Sequence, residues 1–376
     1  MKRVIVSVTN DLSTDQRVNR TSNTLMKLGF DVTLIGRKLT SSQAITGRAY
    51  KTKRMRLVFN KGPLFYAEYN IRLFFFILFH KYDLLVSNDL DTLLANYLNH
   101  KIKKIPIVYD SHEYYTETPE LVNRPRVQKI WERIEKSIFP KLKDVITVNK
   151  SIAGLYKKKY GLDLKVVRNI PASKSFNSGD YLNLKTKSEL SIPTDKKIVI
   201  LQGAGINIQR GAEEAVEAMQ YLNGVVLFII GGGDVIDILK EKTETLNLKD
   251  KIIFIPKIPA EELFNYTKLA DIGLTIDKDT NINYRYSLPN KLFDYIEAGT
   301  PILASKLVEI KNIIEKYDIG DFIDSHEPEH IAQKIMSMLE DKARYKKWKE
   351  NLKFASKDLC WENEEKILID IYKKYV

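Results

Sequence analysis

Lys197-Ile198-Val199-Ile200-Leu201-Gln202-Gly203-Ala204-Gly205-Ile206-Asn207-Ile208-Gln209-Arg210-Gly211-Ala212 is the stretch that decides the fold class. Ile198–Leu201 is apolar without alternation, the pattern of a short strand covered on both faces. Gly203 and Gly205 then punctuate the chain, and from Ala212 to Tyr221 the apolar residues recur at helical spacing. Strand, glycine turn and helix in that order open a parallel βαβ unit.

The same alternation extends outward in both directions. Downstream, strands are expected at Val225–Ile230, Ile252–Ile255, Asp271–Ile276 and Pro301–Ala304, with helices at Val235–Leu246, Ala260–Leu269 and Asn290–Ala298. The chain closes on helical patterns at 329–341, 342–357 and 361–374. Upstream, strands are expected at Arg3–Val8, Asp31–Ile35, Asp83–Ser87, Ile105–Tyr109, Asp144–Val148 and Lys165–Arg168, and helices at Asp15–Leu28, Arg126–Lys141 and Ser151–Tyr160. Between the two series, residues 171–196 are polar and aperiodic, as in a linker. The pattern predicts an α/β protein of two doubly wound domains, with a ligand at their strand C-termini.

Composition narrows the class. Of 376 residues, 44% are hydrophobic and 29% charged, which excludes a largely disordered chain. The formal charge of +12 is unevenly held: residues 1–172 carry 31 basic and 15 acidic side chains, and residues 173–376 carry 29 and 33. That is +16 against −4, an asymmetry that points to different partners for the two halves. A lone Cys360 excludes an internal disulfide and a Cys-rich zinc site, and fits a reducing compartment. The longest apolar run, Leu73–Phe79, falls short of the ~20 residues of a membrane span. The apolar start of the chain breaks at Thr9-Asn10-Asp11, too early for a secretory leader. The expectation is a cytoplasmic protein without a transmembrane segment.

Several short motifs are set aside. His326-Glu327-Pro328-Glu329-His330 spells a zinc-protease pattern, but Pro328 places His326 ahead of any helix. Asp89-Leu90-Asp91 and Asp277-Lys278-Asp279 have a spacing that can hold a divalent ion, yet each merely follows a predicted strand. Gly203-Ala204-Gly205 and Gly231-Gly232-Gly233 lack the third glycine of a dinucleotide fingerprint, where Ile208 and Ile236 stand. Either can bring a phosphate to a helix N-terminus, or be a tight turn with no ligand.

The chemistry concentrates at Ser287-Leu288-Pro289-Asn290-Lys291-Leu292-Phe293-Asp294-Tyr295, followed by Gly299-Thr300-Pro301. Pro289 suits the first turn of a helix, Lys291 adds a full charge to the helix dipole, and Asp294 lies one turn later on the same side. This makes a diphosphate cradle beside a carboxylate able to bind hydroxyls. An exposed Lys291–Asp294 ion pair is the bland alternative.

This stretch resembles the P-N-K-L-F-E-Y…G-x-P signature of the retaining family-4 glycosyltransferases. Other segments agree in order. Asn10-Asp11 through Asp15-Gln16-Arg17-Val18 resembles the family's N-terminal loop, and Tyr109-Asp110-Ser111-His112-Glu113 its D-x-H-E element. Gly203 to Arg210-Gly211 resembles the donor loop, and Trp361-Glu362 the late element. The resemblance implies a GT-B fold, two Rossmann-like domains facing a central cleft. The N-terminal acceptor-side domain would be 1–172, the linker 173–196 and the donor-binding domain 197–357, with a closing helix of about 358–376 packing back on the first domain.

It further implies a nucleotide-diphosphate sugar as donor, no cofactor and no metal. The donor would be held by Gly203, Gly205, Arg210, Ser287, Leu288, Pro289, Asn290, Lys291 and Asp294, and the acceptor by Asp15, Arg17, His112 and Glu113. His112, Arg210, Lys291 and Asp294 would carry the chemistry. The family's first paired carboxylate falls at Tyr286, leaving Asp294 alone. The expected activity is retaining hexosyl transfer to a glycan or lipid-linked acceptor in surface polysaccharide synthesis. An epimerase-type enzyme on the same fold and a non-catalytic nucleotide-sugar binder are the alternatives. Lys51, Lys53, Arg54, Arg56 and Lys61 beside Phe65–Phe79 suit an anionic membrane surface, unless that segment is an ordinary buried helix. No recognition helix accompanies the basic residues, so nucleic acid is not an expected partner.

Overall fold

The computed structural model describes residues 1–13, 15–40, 42, 44–172, 185–190 and 194–376. Within the expected linker, 173–184 and 191–193 lie outside the described residues. The chain forms two compact units, residues 1–169 with 363–376, and residues 170–362.

The first unit is built on β1 (Arg3–Asp11), β2 (Asp31–Lys38), β3 (Lys51–Arg56), β4 (Leu84–Asn88), β5 (Ile107–Ser111), β6 (Asp144–Thr147) and β7 (Lys165–Val166). These pair in parallel in the order β3-β2-β1-β4-β5-β6-β7. Its helices are α1 (Gln16–Lys27), α2 (Gly62–Phe79), α3 (Leu90–Lys103), α4 (Pro119–Val122), α5 (Pro125–Ile138) and α6 (Lys150–Tyr160). The inner strands β4 and β5 are buried along their whole length, as a doubly covered parallel sheet requires.

The second unit repeats the plan. It has β8 (Lys197–Gly203), α7 (Ala212–Ala218), β9 (Val225–Gly231), α8 (Ile236–Thr245), β10 (Ile252–Ile255), α9 (Ala260–Leu269), β11 (Ile272–Thr275), α10 (Ile282–Arg285), α11 (Asn290–Ala298), β12 (Ile302–Ser305), α12 (Val308–Tyr317), β13 (Gly320–Ile323), α13 (Pro328–Glu340) and α14 (Lys342–Asp358). Its parallel sheet runs β10-β9-β8-β11-β12-β13. One apolar cluster, including Val199, Leu227 and Trp348, packs one face. A second, including Ile200, Phe228 and Tyr295, packs the other. A last helix, α15 (Trp361–Tyr372), carries the chain end into the first unit.

Sequence periodicity missed β3 and β13. Both are edge strands, and their mixed polar composition reflects one solvated side. The basic run beginning at Lys51 is therefore partly strand, with Lys51 paired to Asp31 at 2.8 Å and Arg54 to Asp11 at 3.5 Å. Phe65–Phe79 lies within α2. Phe65, Tyr69, Leu73 and Ile77 are buried, while Ile71, Phe75 and Phe79 form an exposed stripe on the opposite side of α2. Leu94, Leu98 and Ile102 are exposed at the same spacing on α3, which packs against α2. Among the described residues no helix is long and apolar enough to cross a membrane.

Candidate functional site

In each sheet the strand order reverses beside the first strand, at β1/β4 and at β8/β11. An open parallel sheet leaves a crevice at the strand C-termini there, because the flanking loops diverge to opposite faces. In the second unit the loops after β8 and β11 are joined by Lys278 N–H donating to Gln209 O at 2.9 Å. They deliver Arg210 and Asp277, and the start of α11 delivers Lys291. Arg210 Nη1 donates to Asp277 Oδ1 at 3.1 Å, and Lys291 Nζ lies 3.0 Å from Asp277 Oδ2. Two cations that would repel each other are thus held by one carboxylate, itself only 1% exposed. Burial pushes the Asp277 carboxyl up, but Lys291 and Arg210 outweigh it and hold the group ionised below the usual range. The Arg210 guanidinium also lies 4.7 Å over the Tyr284 ring, and its buried Nε has no partner among the described residues.

Asp277 was absent from the expected site, where it counted only as half of a declined metal motif. The signal was its place at a strand C-terminus, which alone cannot say which charges turn toward it. Lys291 turns its ammonium to Asp277, which accounts for its burial. Asp294 accepts from Gln202 Nε2 at 3.1 Å, and Gln202 Oε1 in turn accepts from Thr267 at 2.7 Å. Ser287 Oγ is buried without a partner among the described residues. Pro289 stands just ahead of α11 as its cap rather than inside its first turn. Asn290 is exposed, and Leu288 packs against the core.

Gly203 and Gly205 sit in a clasp with the β9 turn. Ile206 N–H donates to Gly232 O at 2.8 Å, and Gly232 N–H to Gly203 O at 3.2 Å. A Cβ on Gly231, at φ 135°, would fall 1.8 Å from Gly203 O, and one on Gly233 would fall 2.0 Å from Ile206 O. Gly231 and Gly233 thus let two turns touch backbone to backbone.

In the first unit the ends of β4 and β5 carry Asn88, Asp89 and Asp110, and His112 follows. Its Nδ1 lies 3.1 Å from Asp89 Oδ2, and its Nε2 lies 3.2 Å from Asn88 Oδ1 and 3.5 Å from Asp110 Oδ2. Burial alone would favour neutral imidazole, but Asp89 and Asp110 outweigh it and raise the pKa well above the ordinary value. The two carboxylates thus favour the protonated imidazole. Arg17 is 4% exposed and forked onto Asp110 at 2.7 and 3.1 Å, with a third bond to Val167 O at 2.8 Å. Its guanidinium is thus engaged with Asp110 and Val167. Asp15 caps α1 by accepting from Val18 N–H at 3.1 Å, and Glu113 lines a cavity beside Asp89.

Each aspartate of the two D-x-D motifs has a protein partner. Asp89 holds His112, Asp91 accepts from Thr9, Asp277 holds the cation pair, and Asp279 pairs with Arg285 at 2.9 Å. His326, as expected, precedes α13 and contacts Ile276 O at 3.0 Å.

Comparison with known proteins matches residues 184–353 to glycosyl transferases group 1 and residues 15–171 to Glycosyltransferase Family 4. The D-inositol 3-phosphate glycosyltransferase of Xylanimonas cellulosilytica is 19% identical over 230 residues, 57% of this chain and 52% of that protein. The match thus spans about half the length of this curated relative. Among solved structures, sucrose-phosphate synthase from Thermosynechococcus elongatus superposes with a TM-score of 0.80 at 17% identity, covering 100% of this chain and 99% of that one. HepE of Anabaena in complex with UDP-glucose gives 0.76 at 13% identity, with both chains fully covered.

Proposed function

Since the chain belongs to the family-4, group-1 glycosyltransferases of GT-B fold, we propose that it moves a hexosyl unit from a nucleotide-diphosphate sugar to a glycan or lipid-linked acceptor in surface polysaccharide synthesis. The reaction proceeds with retention of configuration and without a resident metal. The observation that carries this reading is the Arg210–Asp277–Lys291 arrangement. As the bond to the sugar breaks, negative charge grows on the departing diphosphate. Preorganised cations beside a helix N-terminus lower that barrier without reorganising in the step. The departing phosphate takes the acceptor hydroxyl proton on the face from which it leaves, which retains configuration. Asp294 binds ribose hydroxyls, and the His112 imidazolium donates to the transferred sugar.

The acceptor side works at the inner face of an anionic membrane. The exposed apolar stripes of α2 and α3, set in a half-chain of net charge +16, support that placement.

A thermal-shift panel of UDP, GDP and their sugars tests the donor assignment, since a ligand that binds only the native state raises the melting point. At least one should raise it, and Arg210→Ala or Lys291→Ala should abolish the shift and lower turnover by about 10²–10³. No shift with any nucleotide, or release of a free epimer instead of nucleotide diphosphate plus glycoside, defeats the reading.

A further inference from the structure

The Asp294 carboxylate is steered by side chains that belong to two other elements of the second unit. Gln202, the penultimate residue of β8, is buried, and its Nε2 donates to Asp294 Oδ2 at 3.1 Å. An ionised carboxylate only accepts, so the amide turns its NH₂ toward Asp294 and its carbonyl away. That carbonyl accepts from Thr267 Oγ1, on α9, at 2.7 Å. The amide is therefore gripped at both ends.

The backbone beside Asp294 is fixed separately. Tyr295 OH donates between Ile200 O at 3.2 Å and Leu274 O at 3.1 Å, on the neighbouring strands β8 and β11. Gly273 leaves room for the ring, since a Cβ there would fall 2.6 Å from it. With α11 pinned, rotation of the Asp294 side chain is the freedom that Gln202 removes. A carboxylate has about four lone-pair sites, so one amide bond orients it and still leaves acceptor capacity.

Stability does not require this chain of bonds. Thr267 Oγ1 also lies 2.9 Å from Leu263 O, and Asp294 is only partly buried. An apolar side chain at 202 would strand neither group, so the buried amide is there for orientation. We propose that Gln202 is a positioning residue, locking the Asp294 carboxylate in the orientation that receives the ribose hydroxyls of the donor nucleotide. The assignment rests on the glycosyltransferase reading and adds to it a residue that never touches the donor.

Calorimetric titration of the full chain with UDP, GDP and their 2′,3′-dideoxy forms tests it, because the dideoxy forms keep base and diphosphate. For the nucleotide that binds, the parent should prefer ribose by about tenfold or more, as expected of hydrogen bonds to a charged group. Gln202→Leu should weaken the ribose form by about fivefold to tenfold and leave the dideoxy form unchanged. Gln202→Met, also apolar and unbranched, serves if the leucine variant does not fold. Added to Asp294→Ala, either substitution should cost nothing more, because it acts only through that carboxylate. A merely structural role would weaken both forms alike. Equal loss for both forms, an undiminished ribose preference in the variants, no ribose preference in the parent or an additive double variant would each overturn the positioning role. Failure of UDP and GDP alike to bind the parent defeats the transferase reading, and this assignment with it.

Discussion

Asp89 adopts φ 56°, ψ 167°, a region that is essentially restricted to glycine and costs about 1–3 kcal/mol for other residues. Its carboxylate explains why it is there. Oδ1 accepts the His112 backbone N–H at 2.8 Å, and Oδ2 faces His112 Nδ1 at 3.1 Å. Strain at this position holds the imidazole ring in place. Asp89→Ala loses the bonds and keeps the strain, whereas Asp89→Gly loses the same bonds and relieves it. Chemical denaturation should therefore find the glycine variant more stable than the alanine variant by about 1–2 kcal/mol, with transferase activity impaired in both. An alanine variant as stable as the glycine variant would show that the conformation is unstrained.

At the scale of elements, α2 is the informative case. A helix with one buried face normally turns polar residues outward. Here Ile71, Phe75 and Phe79 lie on the outward side, with the Phe75 and Phe79 rings stacked 6.1 Å apart. Each phenylalanine contributes up to ~1.5–3 kcal/mol if buried in an acyl layer. The double variant Phe75→Glu/Phe79→Glu should therefore reduce co-sedimentation with phosphatidylglycerol-containing vesicles by more than tenfold. Because Phe79 is 76% exposed and Phe75 48% exposed, the melting point should fall little. Unchanged sedimentation would remove α2 from the proposed membrane contact.

For the whole molecule, the chain's end completes its beginning. Glu364, almost fully buried, accepts from Arg168 N–H at 2.7 Å and from its Nε and Nη2 at 2.9 and 2.6 Å. Glu365 accepts from Thr24 at 2.7 Å and pairs with Lys27 at 2.8 Å. Removing one partner of a buried pair leaves the other charge uncompensated. Glu364→Ala should thus destabilise the first unit by about 2–3 kcal/mol, discounted because Arg168 is partly exposed. Urea titration followed by circular dichroism should show a lower midpoint for one transition only, and an unchanged curve would contradict the anchoring role.

The alternation of apolar runs with helical spacing identified the inner strands and the helices at 260–269 and 290–298, because a doubly covered parallel sheet leaves no polar positions to blur the pattern. It missed β3 and β13, where one side is solvated. Glycine positions at 231–233 were legible as a turn, but their purpose lay in a backbone contact with residues 203–206. Arg210 and Lys291 were legible from local motifs, as was His112. What holds them was not. Asp277 lies 67 residues from Arg210 along the chain, and Arg17 lies 93 from Asp110. Local pattern is set by neighbours in sequence, so the sequence alone determined the class of fold and the family. Which carboxylate neutralises which cation depends on loops that meet only after the sheets form, and those pairings were decided by the tertiary structure.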